Sequence, residues 1–96
     1  MSDFKFKFHP KFFNDLNQLN RRELEIVDKK IREIKGSPLR FKRLRGKDNC
    51  FSVRSGKLRI IYYVKSKTVW FLMVDKRKNV YDKYQKRLYE IKIEFD

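Results

Sequence analysis

The chain has 96 residues, and its 41% hydrophobic and 16% aromatic content excludes disorder throughout, although 40% of its residues are charged. That length holds one core, so a single domain over residues 1–96 is expected. Twenty-six Lys and Arg against twelve Asp and Glu give a formal charge of +14, more than solubility asks of an isolated domain, which points to a polyanionic partner.

The one cysteine, Cys50, excludes an internal disulfide and any cysteine-based zinc site, so a reducing compartment is expected. The opening MSDFKFKFHP lacks the uninterrupted apolar stretch of a signal peptide, and no run reaches the ~20 apolar residues of a membrane span. A soluble, cytoplasmic protein without membrane attachment is expected.

Phe4, Phe6 and Phe8 alternate with Lys5 and Lys7, the period of a strand with one buried face. His9-Pro10 stops it. Pro10 suits a first helical position, and Phe12 or Phe13, Leu16 and Leu19 recur at helical spacing up to about Asn20. Asn20 and Glu23 resemble a capping box for a second helix, with Leu24, Val27, Ile31 and Ile34 as its stripe and Gly36 and Pro38 as its stop. Two tightly joined helices must cover their shared stripe, and a sheet is the expected cover.

Phe41 and Leu44 lie in a short basic stretch ending at Gly46. Cys50 to Arg54 alternates as a strand, Ser55-Gly56 turns, and Leu58 to Val64 is rich in Ile, Tyr and Val. Lys65-Ser66-Lys67 separates that run from the apolar Thr68 to Val74, which predicts a three-strand meander with Trp70 in the core. After the polar segment Asp75 to Asn79, the residues Val80, Tyr84 and Leu88 fit a short helix. Ile91, Ile93 and Phe95 alternate with charge, as a strand or a loose partner-binding end would. The expected fold is α+β: an N-terminal strand and helical hairpin packed on a mostly antiparallel sheet, with a short C-terminal helix. Arg54, Arg59 and their neighbours are expected on the sheet face away from the hairpin.

The charge is concentrated: residues 39–87 hold sixteen basic and three acidic side chains, which reads as a site more than a uniform coat. Enzymes that cleave phosphodiesters usually recruit metal-holding carboxylates or a histidine pair. Here His9 is the one histidine and reads as the end of the first strand, while Asp48, Asp75 and Asp82 have no metal-cage spacing. No metal and no cofactor is expected. The remaining chemistry is cations and phenols. Arg and Lys hold phosphate and offset the charge that builds on it, and Tyr can stack on a base or move a proton if cations lower its pKa. Such a set is compatible with metal-free attack by an RNA 2'-hydroxyl on its own phosphate, a route closed to DNA.

The segment LRGKDNCFSVRSGKLRIIYYV, residues 44–64, followed by VDKRKNVY, residues 74–81, resembles the RelE/ParE toxin superfamily, and within it the RelE-type mRNA interferases. The order of elements along the whole chain agrees with that family's fold. The resemblance implies the toxin of a type II toxin-antitoxin system, a ribosome-dependent endoribonuclease that cuts message in the ribosomal A site and is neutralised by a RelB-like antitoxin. It implies catalytic roles for four residues: Arg54 close to the scissile phosphate, Arg59 on the transition state, Arg77 at the leaving group, and Tyr81 on the 2'-hydroxyl and a base. Arg45, Lys57, Lys76 and Lys78 are the expected RNA contacts around them, with Lys42 and Arg43 on ribosomal RNA. One position departs from the pattern: Ser52 stands where the best-known members carry a second strand lysine.

Two further readings compete. A ParE-like inhibitor of DNA gyrase would share the fold and cut nothing, and a small non-catalytic RNA-binding protein would use the same cations and aromatics only to clamp and stack.

Overall fold

The computed structural model describes residues 3–46, 48–76 and 80–95, with the side chains of residues 80–82 and 95 left aside. Its elements are β1 (Lys5–Phe8), α1 (Phe12–Leu16), α2 (Arg21–Gly36), β2 (Lys42–Arg43), β3 (Cys50–Ser55), β4 (Leu58–Lys65), β5 (Thr68–Asp75) and α3 (Val80–Phe95). The sheet order is β1-β5-β4-β3-β2. β1 runs parallel to β5, and the other pairings are antiparallel. The α+β architecture expected from the pattern is therefore present, with the N-terminal strand at one edge.

The hairpin forms for the reasons its sequence advertises. The Asn20 side chain accepts from the Glu23 backbone N–H at 2.8 Å, and Glu23 Oε1 accepts from the Asn20 N–H at 2.9 Å, a reciprocal capping box. The first helix is shorter than its spacing predicts: Pro10 lies in a turn, and the Phe12 N–H donates to the His9 carbonyl. Beneath the hairpin, Phe12, Val27 and Ile34 pack with Phe51, Val53, Leu58, Ile60, Tyr62, Val64, Val69, Phe71 and Val74. Within this layer the Tyr62 hydroxyl donates to the Pro38 carbonyl at 2.5 Å, which gives the one polar atom of a fully buried ring a partner.

The opposite face departs from expectation. It is largely apolar, with Cys50, Ile61, Tyr63, Trp70, Leu72 and Met73 buried under Tyr84, Leu88 and Ile91 of α3. The C-terminal helix is present and continues through the tail that the sequence left as a strand or a loose end. Tyr84, Leu88 and Ile91 lie at helical spacing, and burying them beneath one helix outweighs the period-two alternation of Ile91, Ile93 and Phe95. Arg54 and Arg59 do lie on this face, but at one end of it, beyond the apolar patch.

A bulge in β5 decides what else reaches that end. Ile61 pairs with Met73 and Tyr62 with Phe71, so Leu72 is an extra residue. Leu72 and Met73 consequently both pack on the α3 side, and Val74 returns to the hairpin side. The next residue, Asp75, is thereby aimed onto the face that carries Arg59. No helix among the described residues is long and apolar enough to cross a membrane.

Candidate functional site

The hairpin joining β3 and β4 sets the site's geometry. Gly56 takes φ +60°, a left-handed conformation suited to glycine, and the tight turn pairs Ser55 with Leu58 and Arg54 with Arg59. Arg59 pairs in turn with Asp75 of β5. Arg54, Arg59 and Asp75 thus form one row across three strands, with Ser52 two residues before Arg54 on the same face. Arg54 is exposed, its Nε donating to the Gly56 carbonyl at 3.2 Å, and Arg59 is half-buried.

Two guanidinium groups directly opposite one another on a sheet repel, which lowers the stability of the apoprotein and raises its affinity for an anion. Asp75 tempers the row at one end, where its Oδ1 accepts from the Lys76 backbone N–H at 2.6 Å and its Oδ2 lies 3.6 Å from Lys83 Nζ. Lys83 belongs to α3, so this contact brings the start of that helix over the Asp75 end of the row. Tyr81 is in the same first turn; its side chain, like Arg77 and Lys78 as a whole, lies outside the described residues.

The expected RNA contacts are dispersed. Lys57 is exposed in the turn next to Gly56. Lys76 reaches back to the hairpin, its Nζ 3.1 Å from Glu23 Oε2 and 3.2 Å from Oε1. Glu23 titrates below the ordinary carboxylate range because its carboxylate accepts the Asn20 backbone N–H and, secondarily, the Lys76 ammonium. Arg45 stands elsewhere: it lines a groove of about 610 Å³ with Asp48, Cys50, Tyr84, Leu88 and Ile93, among others. Cys50 and Arg54 are four residues apart on one strand, roughly 13 Å, so Arg45 is not part of the arginine row.

That larger groove has an apolar floor, and its Lys92 is ion-paired with Asp48. A second groove of about 380 Å³ has the opposite character. It is lined by Lys30, Phe41, Lys42, Ser52, Val53, Arg54 and Arg59, four cations and no carboxylate. It opens over the edge of β3, because β2 pairs only with Phe51 and Ser52. Among the described residues no group of three or more His, Cys, Asp and Glu is placed to hold a metal ion. Sequence reasoning did not single out Lys30, Asp75 or Lys83 at this site. A helix cation or a bulge-directed carboxylate has no local signal, since its position depends on tertiary packing.

His9 is 3% exposed and serves the scaffold. Its Nδ1 accepts the Lys11 backbone N–H at 3.0 Å, which leaves Nε2–H to donate to Glu90 Oε1 at 3.2 Å. Burial pushes its pKa below the ordinary value, against the opposing pull of Glu90. Cys50 is also structural, its thiol pushed up to about 12 chiefly by burial and then by the Asp48 charge.

No protein-family model and no curated protein matches the sequence. Solved structures do. A mutant of the E. coli toxin RelE in the free state superposes with a TM-score of 0.72 at 23% identity, covering 94% of this chain and 97% of that one. The intact E. coli RelBE toxin-antitoxin complex contains a chain that matches with a TM-score of 0.68 at 27% identity, covering 78% and 98%. A chain of the toxin-antitoxin complex RelBE2 from Mycobacterium tuberculosis is 32% identical over 80% of this chain and 94% of its own, with a TM-score of 0.67. Identity of 32% over four fifths of the chain, on the same fold as free RelE, shows that the chain belongs to the RelE-type toxin superfamily.

Proposed function

We propose that the protein is the toxin of a type II toxin-antitoxin system and acts in the cytoplasm as a ribosome-dependent mRNA endoribonuclease. The observation that carries this reading is the row of Arg54 and Arg59 opening onto a cationic groove with Ser52 beside it. Such a row suits a phosphate whose equatorial oxygens gain charge as the reaction proceeds. In the proposed step the 2'-hydroxyl oxygen attacks the adjacent phosphorus and the bond to the 5'-oxygen of the next nucleotide breaks. The products are a 2',3'-cyclic phosphate and a free 5'-hydroxyl. Arg54 and Arg59 would stabilise the phosphorane, Tyr81 would orient and deprotonate the 2'-hydroxyl, and Arg77 would support the leaving oxygen. Lys57, Lys76 and Lys78 would bind RNA around that centre, and Arg45, which lines the separate groove beneath α3, a more distant stretch of it. The step needs no metal or cofactor, since both proton transfers fall to the protein and solvent.

The similar E. coli, Methanococcus jannaschii and Pyrococcus horikoshii chains come from complexes of RelE with RelB. A RelB-like antitoxin is the proposed partner here, supplying acidic side chains to the basic middle segment and apolar ones to the surface around α3.

The test is purified protein with programmed ribosomes and message, with and without chelator. Codon-phased cleavage that survives chelation and is lost in Arg59→Ala supports the reading. Intact message together with inhibited DNA gyrase would replace it by the ParE-like alternative.

A further inference from the structure

The cationic groove at the β3 edge extends well past the arginine row. Its outer wall is Lys42, which pairs with Ser52 across the β2–β3 ladder, and Lys30 of α2. Lys42 sits one strand over and two residues back from Arg54, on the order of 8 Å between backbones, about the scale of one nucleotide step along a chain. The groove lining itself contributes no carboxylate; outside it, Glu33 lies 3.1 Å from the Lys30 ammonium and Asp75 is the strand neighbour of Arg59. The Phe41 ring, half-buried, forms part of the wall and has the Arg40 guanidinium 4.8 Å from its centroid. An apolar protein segment would find little to bury here and four charges to desolvate. A single-stranded polyanion would replace counterions at each contact.

We infer that this groove is a phosphate-binding track for the RNA strand flanking the scissile bond, with Lys42 and Lys30 as binding residues that take no part in the chemistry. The inference rests on the ribonuclease reading above and deepens it. The strand crosses the sheet edge where β2 ends, so Arg54 and Arg59 hold the reacting phosphate while Lys42 and Lys30 hold a neighbouring one. Lys42 is exposed and can be replaced without opening the core, whereas half-buried Lys30 pairs with the buried Glu33 Oε2. The Lys30 variants are therefore read only where the melt is unchanged, and Lys42→Ala alone carries the test otherwise.

The test compares wild type with Lys42→Ala, Lys30→Ala, the double variant and the charge-keeping Lys42→Arg, each checked for an unchanged thermal melt. Cleavage is measured on programmed ribosomes, and binding of a short, fully 2'-O-methylated RNA, which cannot react, is measured across a salt series. The expected result is a half-saturating concentration about tenfold higher for the double variant, with an unchanged rate at saturation. The log-log salt slope should shrink by about 0.7 for each lost phosphate contact, and Lys42→Arg should restore binding. Wild-type cleavage with the double variant indistinguishable from it overturns the track while leaving the ribonuclease reading intact. No cleavage by wild type, but lysine-dependent binding of the methylated RNA, keeps the track and removes the nuclease. A defect confined to binding of ribosomes without message assigns the lysines to ribosomal RNA and overturns the inference.

Discussion

Arg87 of α3 grips Asp15 of α1 with both prongs of its guanidinium, Nη1 to Oδ2 at 2.5 Å and Nη2 to Oδ1 at 3.0 Å. The pair also completes the sheet edge. β1 pairs with β5 only as far as Phe71, and beyond that point the Leu72 carbonyl accepts from Arg87 Nη1 while the Val74 N–H donates to Asp15 Oδ2. Both side chains are mostly buried. Arg87→Ala therefore strands a carboxylate and a strand carbonyl, and it should cost about 3 kcal/mol, measurable by urea unfolding. Arg87→Lys keeps the charge but loses the fork and should fall between the two. A cost near zero would mean that the pair is not what holds α3 to the sheet edge.

A second tie between α3 and the N-terminal edge should respond to pH. His9 is held neutral by accepting from the Lys11 N–H, and Glu90 on α3 takes its Nε2 proton, with Arg87, Lys11 and Glu94 also nearby. Its folded-state pKa lies below the ordinary 6.5, so the unfolded chain binds the proton first as pH falls. The contribution is fully present above about 6.5 and is lost as pH drops through the lower, folded value. The expected outcome is a fall in unfolding free energy from pH 7 to pH 5 that is shallower in His9→Gln; parallel slopes would remove His9 from the account.

The legible parts of this fold are those where one face of an element is wet. Phe4, Phe6 and Phe8 alternate with lysines and form β1, and the Asn20–Glu23 spacing is a capping box in fact as well as in pattern. The pairing of Arg54 with Arg59 follows from turn arithmetic once the hairpin at Gly56 is seen. The bulge at Leu72 was not readable, because β5 is buried on both faces and a slip of one residue changes no hydrophobic pattern. The continuation of α3 through the tail is hidden in the sequence for a different reason. Ile93, 65% exposed, lies off the buried stripe, yet with Ile91 and Phe95 it mimics a strand. Lys30 could not be assigned to the groove because the approach of α2 to the sheet edge is set by packing between distant segments.

The arginine row predicts a trade between stability and activity. Replacing Arg54 by Ala removes one of two like charges held in register, so unfolding free energy should stay within about 0.5 kcal/mol of wild type or rise, while growth inhibition is lost. Sulfate or a short RNA should raise the melting temperature of wild type more than that of Arg54→Ala, since only the former presents both guanidinium groups to the anion. Equal stabilisation in the two proteins would show that the row is not the anion site.

Cys50 offers a direct readout of how firmly α3 is seated. Its side chain is 2% exposed beneath Tyr84, Leu88 and Ile91, and its pKa of about 12 leaves almost no thiolate at pH 8 in the closed form. Alkylation in native buffer must therefore wait for α3 to lift, and its rate measures that opening. If the Arg87–Asp15 pair supplies about 3 kcal/mol to the closed state, Arg87→Ala should speed labelling by roughly two orders of magnitude. A segment that displaces α3 would do the same, whereas a ligand bound only at Arg54 and Arg59 would leave the rate unchanged. Labelling of wild type as fast as in denaturant would show that α3 does not cover this face in solution.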